Sequence, residues 1–248
     1  DTIMINKVVN VIKEFFNKEK FNPKTFISGI QEETYYNEAN LQHDLAIYIK
    51  ENEEINNDIE LRLEYPVTKL FDNNDLILSK KEIDIIIKLK KKKKVFEDEF
   101  LIVELKYVKE DDGIPLALLG SLKDILFCEQ IKLINSRDDN YKKRKLHFIT
   151  ILLTDKLNWT SDKHIYGTFK LMETINKTNV EFDLKEICYS NSINTVKKGC
   201  KNIKERIEKS KELKDDYPII DNQILFLENH KILWNKIDEK WLYYINKF

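Results

Sequence analysis

The sequence predicts a mixed α/β fold, in the α+β sense, with a central sheet flanked by helices. Three strongly apolar segments have the length of strands, at residues 82–89, 100–108 and 145–155. A long apolar helical segment, 114–134, separates the last two, and amphipathic helical patterns precede the first. A short charged connection between the first two strands indicates a hairpin, and the helix before the third indicates a crossover.

The N-terminal third is predicted to contain two helices and a strand. Apolar residues recur at helical spacing over 3–18 and again over 37–52, where Asn37 is a suitable N-cap. Residues 59–68 alternate between apolar and polar types and predict a strand that ends near Pro66. The predicted order is therefore helices, three strands, a helix and a fourth strand.

The C-terminal part of the chain gives weaker signals. Residues 166–172 have the composition of a strand, and residues 192–214 carry a narrow apolar stripe at helical spacing. The aromatic tail, which includes Trp234 and Trp241, is compatible with either a helix or a hairpin, and its aromatic residues are expected in the core. No internal repeat and no clear linker divides the 248 residues, so a single domain is expected.

Charge and cysteine content narrow the class of protein. Lys and Arg number 42 and Asp and Glu number 43, so any surface that binds nucleic acid must be a local basic cluster. Three cysteines with no CxxC spacing argue against a disulfide framework or a zinc site and fit a reducing compartment. We find no signal peptide and no apolar run of membrane-spanning length, and we expect a soluble, cytoplasmic protein.

The strand FLIVELKYV, residues 100–108, contains two charges that a core strand would not ordinarily hold. Side chains alternate faces along a strand, so Glu104 and Lys106 share one face of this strand. In the preceding strand, Ile83, Ile85 and Ile87 are expected to share one face, and Asp84 lies on the other. If the hairpin turns around residue 94, Asp84 lies opposite or close to Glu104. Because burying an unpaired charge costs several kcal/mol, these residues should serve a specific purpose.

Two neighbouring carboxylates and an ammonium group are suited to phosphodiester hydrolysis with a divalent metal ion. Adjacent carboxylates repel each other, and a hard cation removes that repulsion. Mg²⁺ binds a few carboxylate oxygens, keeps several waters, and activates a nucleophile while stabilising charge on phosphate. A lysine beside the metal can orient the attacking water or stabilise developing negative charge.

Asp84 and the sequence Glu104-Leu105-Lys106 resemble the motif of the PD-(D/E)XK nuclease superfamily, although Ile83 stands where the motif often has proline. The resemblance implies a restriction-endonuclease-like fold with a core at about 36–155, preceded by the helix 3–18 and followed by an extension, 156–248. It also implies that Asp84 and Glu104 bind Mg²⁺, or Mn²⁺ as a substitute. Lys106 would then activate water, and Glu38 on the preceding helix would serve as an auxiliary ligand or support the other ligands.

The function expected from this resemblance is that of a Mg²⁺-dependent DNA endonuclease of a restriction or other anti-invader system. Its partner would be DNA rather than a membrane, and a homodimer is left open. One alternative is a catalytically inactive nuclease-like module that binds nucleic acid or protein. Another is an unrelated α/β protein in which the charges form a structural ion pair.

Basic clusters supply candidate contacts to DNA. Lys197, Lys198, Lys201 and Lys204 lie on the predicted helix 192–214 and could clamp phosphates, or they could form the solvated side of a helix that covers the sheet. Lys88 and the run 90–94 fit a solvated hairpin tip better than a DNA contact. Glu64 is either a further metal ligand or a surface charge facing Arg62.

Overall fold

The computed structural model describes most of the chain. The described residues are 2–21, 37–71, 82–90, 98–108, 114–137, 144–155, 181–188, 194–210, 214–217, 219–220, 223–239 and 241–248. The predicted strand at 166–172 and the hairpin turn around residue 94 lie outside these residues.

Four α-helices occur in the described part of the chain. They are α1 (Thr2–Phe15), α2 (Glu38–Glu51), α3 (Ile114–Arg137) and α4 (Asn194–Lys209). Asn37 caps α2 as predicted, because its side-chain oxygen accepts a hydrogen bond from the backbone N–H of Asn40 at 3.0 Å. Each helix agrees with a predicted helical segment to within a few residues at its ends.

The strands are β1 (Ile59–Pro66), β2 (Glu82–Leu89), β3 (Glu99–Val108), β4 (Lys145–Thr154), β5 (Glu181–Cys188), β6 (Ile219–Ile220), β7 (Gln223–Lys236) and β8 (Leu242–Lys247). Two short 3₁₀ turns, Asn56–Asp58 and Val67–Lys69, flank β1. The predicted strands of the N-terminal half are all present. The undecided tail forms a hairpin, β7 with β8.

The described strands form one mixed sheet in the order β1-β2-β3-β4-β8-β7-β5, with β6 paired to β7. The first three are antiparallel neighbours, whereas β3 and β4 run parallel and are joined through α3. This is the predicted hairpin followed by a helical crossover. Because β8 pairs with β4, the C-terminal strands extend the same sheet rather than forming another.

Helices cover both faces of the sheet and create two hydrophobic cores. One core joins α1 and α2 to residues such as Ile85 and Leu101, and the other joins α3 and α4 to residues such as Ile86 and Ile102. Apolar side chains on both faces of β3 are therefore buried, which explains why its sequence is almost continuously hydrophobic. The aromatic residues Trp234, Trp241 and Tyr244 are buried, as expected.

The alternation of side chains in β1 and β2 breaks at one point. Leu63 and Ile85, which are paired, pack against the core of α1 and α2, yet the next odd-numbered pair, Tyr65 and Ile83, packs against the core of α3 and α4. The predicted common face of Ile83, Ile85 and Ile87 is therefore wrong for Ile83. The break falls at Glu64, whose φ of 45° is left-handed and rotates the strand.

Within the described residues, no helix combines the length and the apolar character needed to cross a membrane. Cys128 and Cys200 are buried thiols that form no disulfide.

Candidate functional site

Asp84 meets β3 immediately beside Glu104. Strand pairing between β2 and β3 ends at Ile85 and Val103, which are the chain neighbours of Asp84 and Glu104. The Asp84 carboxylate accepts a hydrogen bond from the backbone N–H of Leu105 at 2.7 Å. The carboxylate thus bonds to the backbone of β3 at Leu105, the residue that follows Glu104.

Backbone strain accompanies this arrangement. In the register of β1 with β2, Glu64 falls opposite Asp84, and among the described non-glycine residues it alone has a positive φ. Such a conformation costs about 1 kcal/mol or more for a residue with a side chain. The side chain of Glu64 is exposed, and no described contact places it at the carboxylates, so its role as a further ligand stays a prediction.

Helix α2 holds the end of β2 in place. The side-chain amide of Gln42, which is 4% exposed, donates a hydrogen bond to the backbone carbonyl of Asp84. Leu41 and Leu45, on the same side of the helix, are buried in the core of α1 and α2. The hydrophobic face of α2 therefore fixes a polar side chain against the strand that carries Asp84.

Glu38, in the first turn of α2, contacts the residues that follow Glu104. Its Oε2 lies 3.0 Å from the Lys106 ammonium and accepts a hydrogen bond from the backbone N–H of Tyr107 at 3.1 Å. Both side chains of the ion pair are about one-third exposed, so solvent reaches the pair. The predicted candidate Glu38 is thus in direct contact with the predicted candidate Lys106.

A glycine in α3 makes room for Lys106. A Cβ at Gly120 would lie 3.1 Å from Cε and 3.4 Å from Cδ of Lys106. Glycine inside a helix costs roughly 1 kcal/mol relative to alanine, and at this position it leaves space that the lysine stem occupies. The lysine side chain thus lies close to Gly120 of α3 and reaches Glu38 on α2.

Glu104 directly precedes Leu105, whose N–H bonds to Asp84, and it is fully buried. When ionised, Glu38, Asp84, Glu104 and Lys106 carry three negative charges and one positive charge. A dication would neutralise this net charge of −2, and it would remove the cost of holding carboxylates together away from bulk water.

The described donor atoms at this site are carboxylate oxygens, the type of ligand that Mg²⁺ takes from proteins. No described group of three or more His, Cys, Asp or Glu side chains is arranged to hold a metal ion. Mg²⁺ is usually bound by only one or two carboxylates, with waters and substrate phosphate completing its shell. Asp84 and Glu104 could supply such a pair, whereas Glu38 is engaged by Lys106 and Tyr107.

The predicted basic helix is present as α4. Its buried stripe, which includes Cys200, Ile203 and Ile207, packs on the side of the sheet covered by α3. Lys197, Lys198 and Lys201 are exposed, and Lys204 pairs with Glu208 at 3.8 Å. The geometry fits both interpretations of this helix, a phosphate clamp and a solvated cover.

Two supporting residues are not predicted by the sequence patterns. Gln42 shares a helix face with Leu41 and Leu45, and Gly120 belongs to no motif. An isolated glycine inside a long apolar helix is the one signal that indicates a close contact, since the chain contains only five glycines.

Comparison with protein-family models, with curated proteins and with solved structures finds no significant match for this chain.

Proposed function

We propose that this protein is a Mg²⁺-dependent DNA endonuclease whose centre consists of Asp84, Glu104 and Lys106, supported by Glu38. The observation that carries the proposal is the hydrogen bond from Leu105 N–H to the Asp84 carboxylate. It joins the acid of one strand to the Glu-x-Lys segment of the next. A salt bridge that served only structure would not need a second buried carboxylate beside it.

The roles follow from the positions of the side chains. Asp84 and Glu104 would hold Mg²⁺, which supplies Lewis acidity and an activated water when it is bound. The Lys106 ammonium, 3.0 Å from Glu38, can donate hydrogen bonds to a water or to a phosphate oxygen. Glu38 orients that ammonium, while Gly120 leaves the space through which the lysine stem passes.

Plasmid cleavage tests the proposal. The purified chain should nick or linearise supercoiled DNA with Mg²⁺ or Mn²⁺ and should not do so in EDTA. Asp84→Asn should lose cleavage while still accepting the Leu105 N–H hydrogen bond, so its thermal stability should be retained. Asp215→Asn, at an exposed turn, is the matched control.

Three outcomes would contradict part or all of the proposed function. Cleavage that persists in EDTA would remove the metal from the mechanism. Binding of DNA without cleavage under any divalent metal would favour a nuclease-like binding module. If DNA is neither bound nor cut, and neither Mg²⁺ nor Mn²⁺ shifts the melting temperature, the charges are better explained as a structural ion pair.

A further inference from the structure

A cleft lies on the part of the sheet that α3 does not cover. It has a volume of about 310 Å³ and is formed by β1, β2, the start of β3, and residues flanking the sheet. Its polar side chains include Glu60 and Arg62, which are exposed on the face of β1 opposite the buried Leu61. The open face of β1 is thus one wall of the cleft.

Among the described residues, the lining of this cleft contains four cations, Arg62, Lys69, Lys88 and Arg144, and two carboxylates, Glu60 and Asp98. The formal charge of this described lining is therefore +2, in a protein whose overall charge is −1. A local positive surface of this kind is what a near-neutral protein requires in order to bind a polyanion.

Both carboxylates of the cleft are bound to cations within it. Glu60 accepts hydrogen bonds from Arg62 Nη2 at 2.6 Å and from Nε at 3.0 Å, and this bonding holds the pKa of Glu60 below its ordinary value. Asp98 lies 2.8 Å from the Lys88 ammonium. The carboxylates therefore position Arg62 and Lys88.

Aromatic rings position the lysine head groups. The Lys69 ammonium lies 5.9 Å from the centre of the Tyr65 ring, and the Lys88 ammonium lies 5.5 Å from that of Phe100. A guanidinium nitrogen of Arg144 donates to the backbone carbonyl of Leu70. Cations held in this way lose less side-chain entropy when a ligand binds.

The cleft runs along β2 away from Asp84. Ile86 and Lys88, which line it, are two and four residues beyond Asp84, and Tyr65 follows the strained Glu64. With a strand rise of about 3.3 Å per residue, Lys88 is roughly 13 Å from Asp84. One strand of duplex DNA rises about 3.4 Å per nucleotide, so Lys88 lies roughly four nucleotides from Asp84 along a bound strand.

We propose that this cleft binds the phosphodiester backbone of DNA a few nucleotides from the bond that is cut, an inference that rests on the proposed function. Phosphates would contact the head groups of Lys69, Lys88 and the two arginines. The contact is sequence-independent, since phosphates carry no sequence information directly.

Equilibrium binding of a duplex oligonucleotide in Ca²⁺, followed by fluorescence anisotropy, tests the cleft apart from the chemistry. The double variant Lys69→Gln/Lys88→Gln should raise Kd about tenfold, and it should reduce the slope of log K against log salt by about 2. Lys185→Gln/Lys231→Gln, at the opposite edge of the sheet, is the matched control and should bind like the wild type. Melting temperatures should show that both variants are folded.

The outcomes separate this inference from the proposed function. If the wild type binds but does not cut DNA, and the cleft variant binds less, the cleft is supported and the nuclease proposal fails. If the wild type cuts and the cleft variant binds with unchanged Kd and slope, the cleft inference is overturned alone. A deoxynucleoside monophosphate that binds as tightly as the oligonucleotide, and less to the variant, would make the cleft a free-nucleotide site and overturn the assignment to a DNA strand. Absence of DNA binding by the wild type would overturn it as well.

Discussion

The side chain of Lys106 lies against Gly120 of α3, where a Cβ would come within 3.1 Å of the lysine Cε. Lys106, which is proposed to act on water or phosphate, is therefore contacted from two sides. Glu38 on α2 pairs with its ammonium group, and the backbone of α3 at Gly120 lies against its stem. Position and chemistry can be separated experimentally at this contact.

Gly120→Ala should lower the cleavage rate without lowering stability. Alanine is favoured over glycine in a helix by about 1 kcal/mol, and the flexible lysine stem can yield by a few tenths of an ångström. Since a misplacement of 1 Å at a reacting group can cost about 10²-fold, we expect a loss of roughly tenfold in the single-turnover rate. Thermal melting and plasmid cleavage together measure both effects.

Gly199→Ala provides the contrasting variant. Its Cβ would lie 2.6 Å from Cδ2 of the buried Leu119, so this substitution should destabilise the packing of α4 on α3. The variant should melt at a lower temperature and, where folded, cut at the wild-type rate. If Gly120→Ala keeps full activity, the contact with Lys106 has no role in positioning.

Glu38→Gln should reduce activity by about 10-fold to 100-fold, which is typical for residues that orient a metal ligand or its partner. The amide oxygen can still accept from the Tyr107 N–H, whereas the ion pair with Lys106 is removed. Stability should therefore change little. Glu51→Gln, in the last turn of the same helix, controls for the loss of a carboxylate. A cleavage rate of Glu38→Gln equal to that of the wild type would show that Glu38 does not support the catalytic residues.

Neutralising the basic side of α4 should weaken binding of DNA. Changing Lys197, Lys198, Lys201 and Lys204 to Gln should raise Kd, and the slope of log K against log salt should fall by about one for each phosphate that the helix no longer neutralises. Four exposed lysines on the side of the sheet covered by α1 and α2 form the matched control, namely Lys7, Lys13, Lys18 and Lys50. Anisotropy titrations at several salt concentrations measure the difference.

The comparison of the two sets of lysines decides where DNA lies. Equal losses of affinity for both sets would indicate a general charge effect, and a larger loss for the control set would place DNA on the other side of the protein. The sequence also predicts a smaller effect for Lys90–Lys94, of which residues 91–94 lie outside the described part of the chain.

His147 should contribute to the pH dependence of stability. Burial lowers the pKa of His147 more than its hydrogen bond with Glu99 raises it. The unfolded imidazole, with a pKa of about 6.5, then takes up protons first as pH falls. The stability that depends on neutral His147 is present above that pH and is lost as pH falls through the lower folded pKa.

Melting temperatures between about pH 7.5 and pH 5 check this sign. The stability advantage of the wild type over His147→Gln should shrink as the pH falls through this range. His43→Gln, at an exposed position of α2, shows how much of the change follows from losing any imidazole. If the advantage of the wild type over His147→Gln in melting temperature grows as the pH falls, the pKa of His147 is raised in the folded protein and the expected sign is wrong.

Hydrophobic periodicity predicted the four described helices, the strands of the N-terminal half and the pairing of β2 with β3. A hairpin assumed to turn around residue 94 was enough to place Asp84 close to Glu104, and the pairing of Ile85 with Val103 has that register. The crossover through α3 followed from a long helix between two apolar strands. These features depend on residues that are close in sequence.

The remaining features depend on residues far apart in sequence. The predicted face of Ile83 is wrong, and the change of face coincides with the left-handed φ of Glu64 on the neighbouring strand, a residue with no special preference for that conformation. The cleft gathers side chains from three strands, a 3₁₀ turn and the segment before β4, and no spacing along the chain links Lys69 to Arg144. Such a site becomes visible only after the sheet is assembled.

Cleavage of supercoiled plasmid by Glu104→Gln in Mg²⁺ tests the central claim most directly. Glu99→Gln is the matched control, because Glu99 is also a buried carboxylate on β3 but bonds to His147 rather than lying beside Asp84. If Glu104 holds the metal, the loss of activity in Glu104→Gln should exceed the roughly 100-fold effect of removing a supporting residue, while Glu99→Gln cuts at the wild-type rate. Cleavage by folded Glu104→Gln at the wild-type rate would contradict the assignment of a nuclease centre to this site.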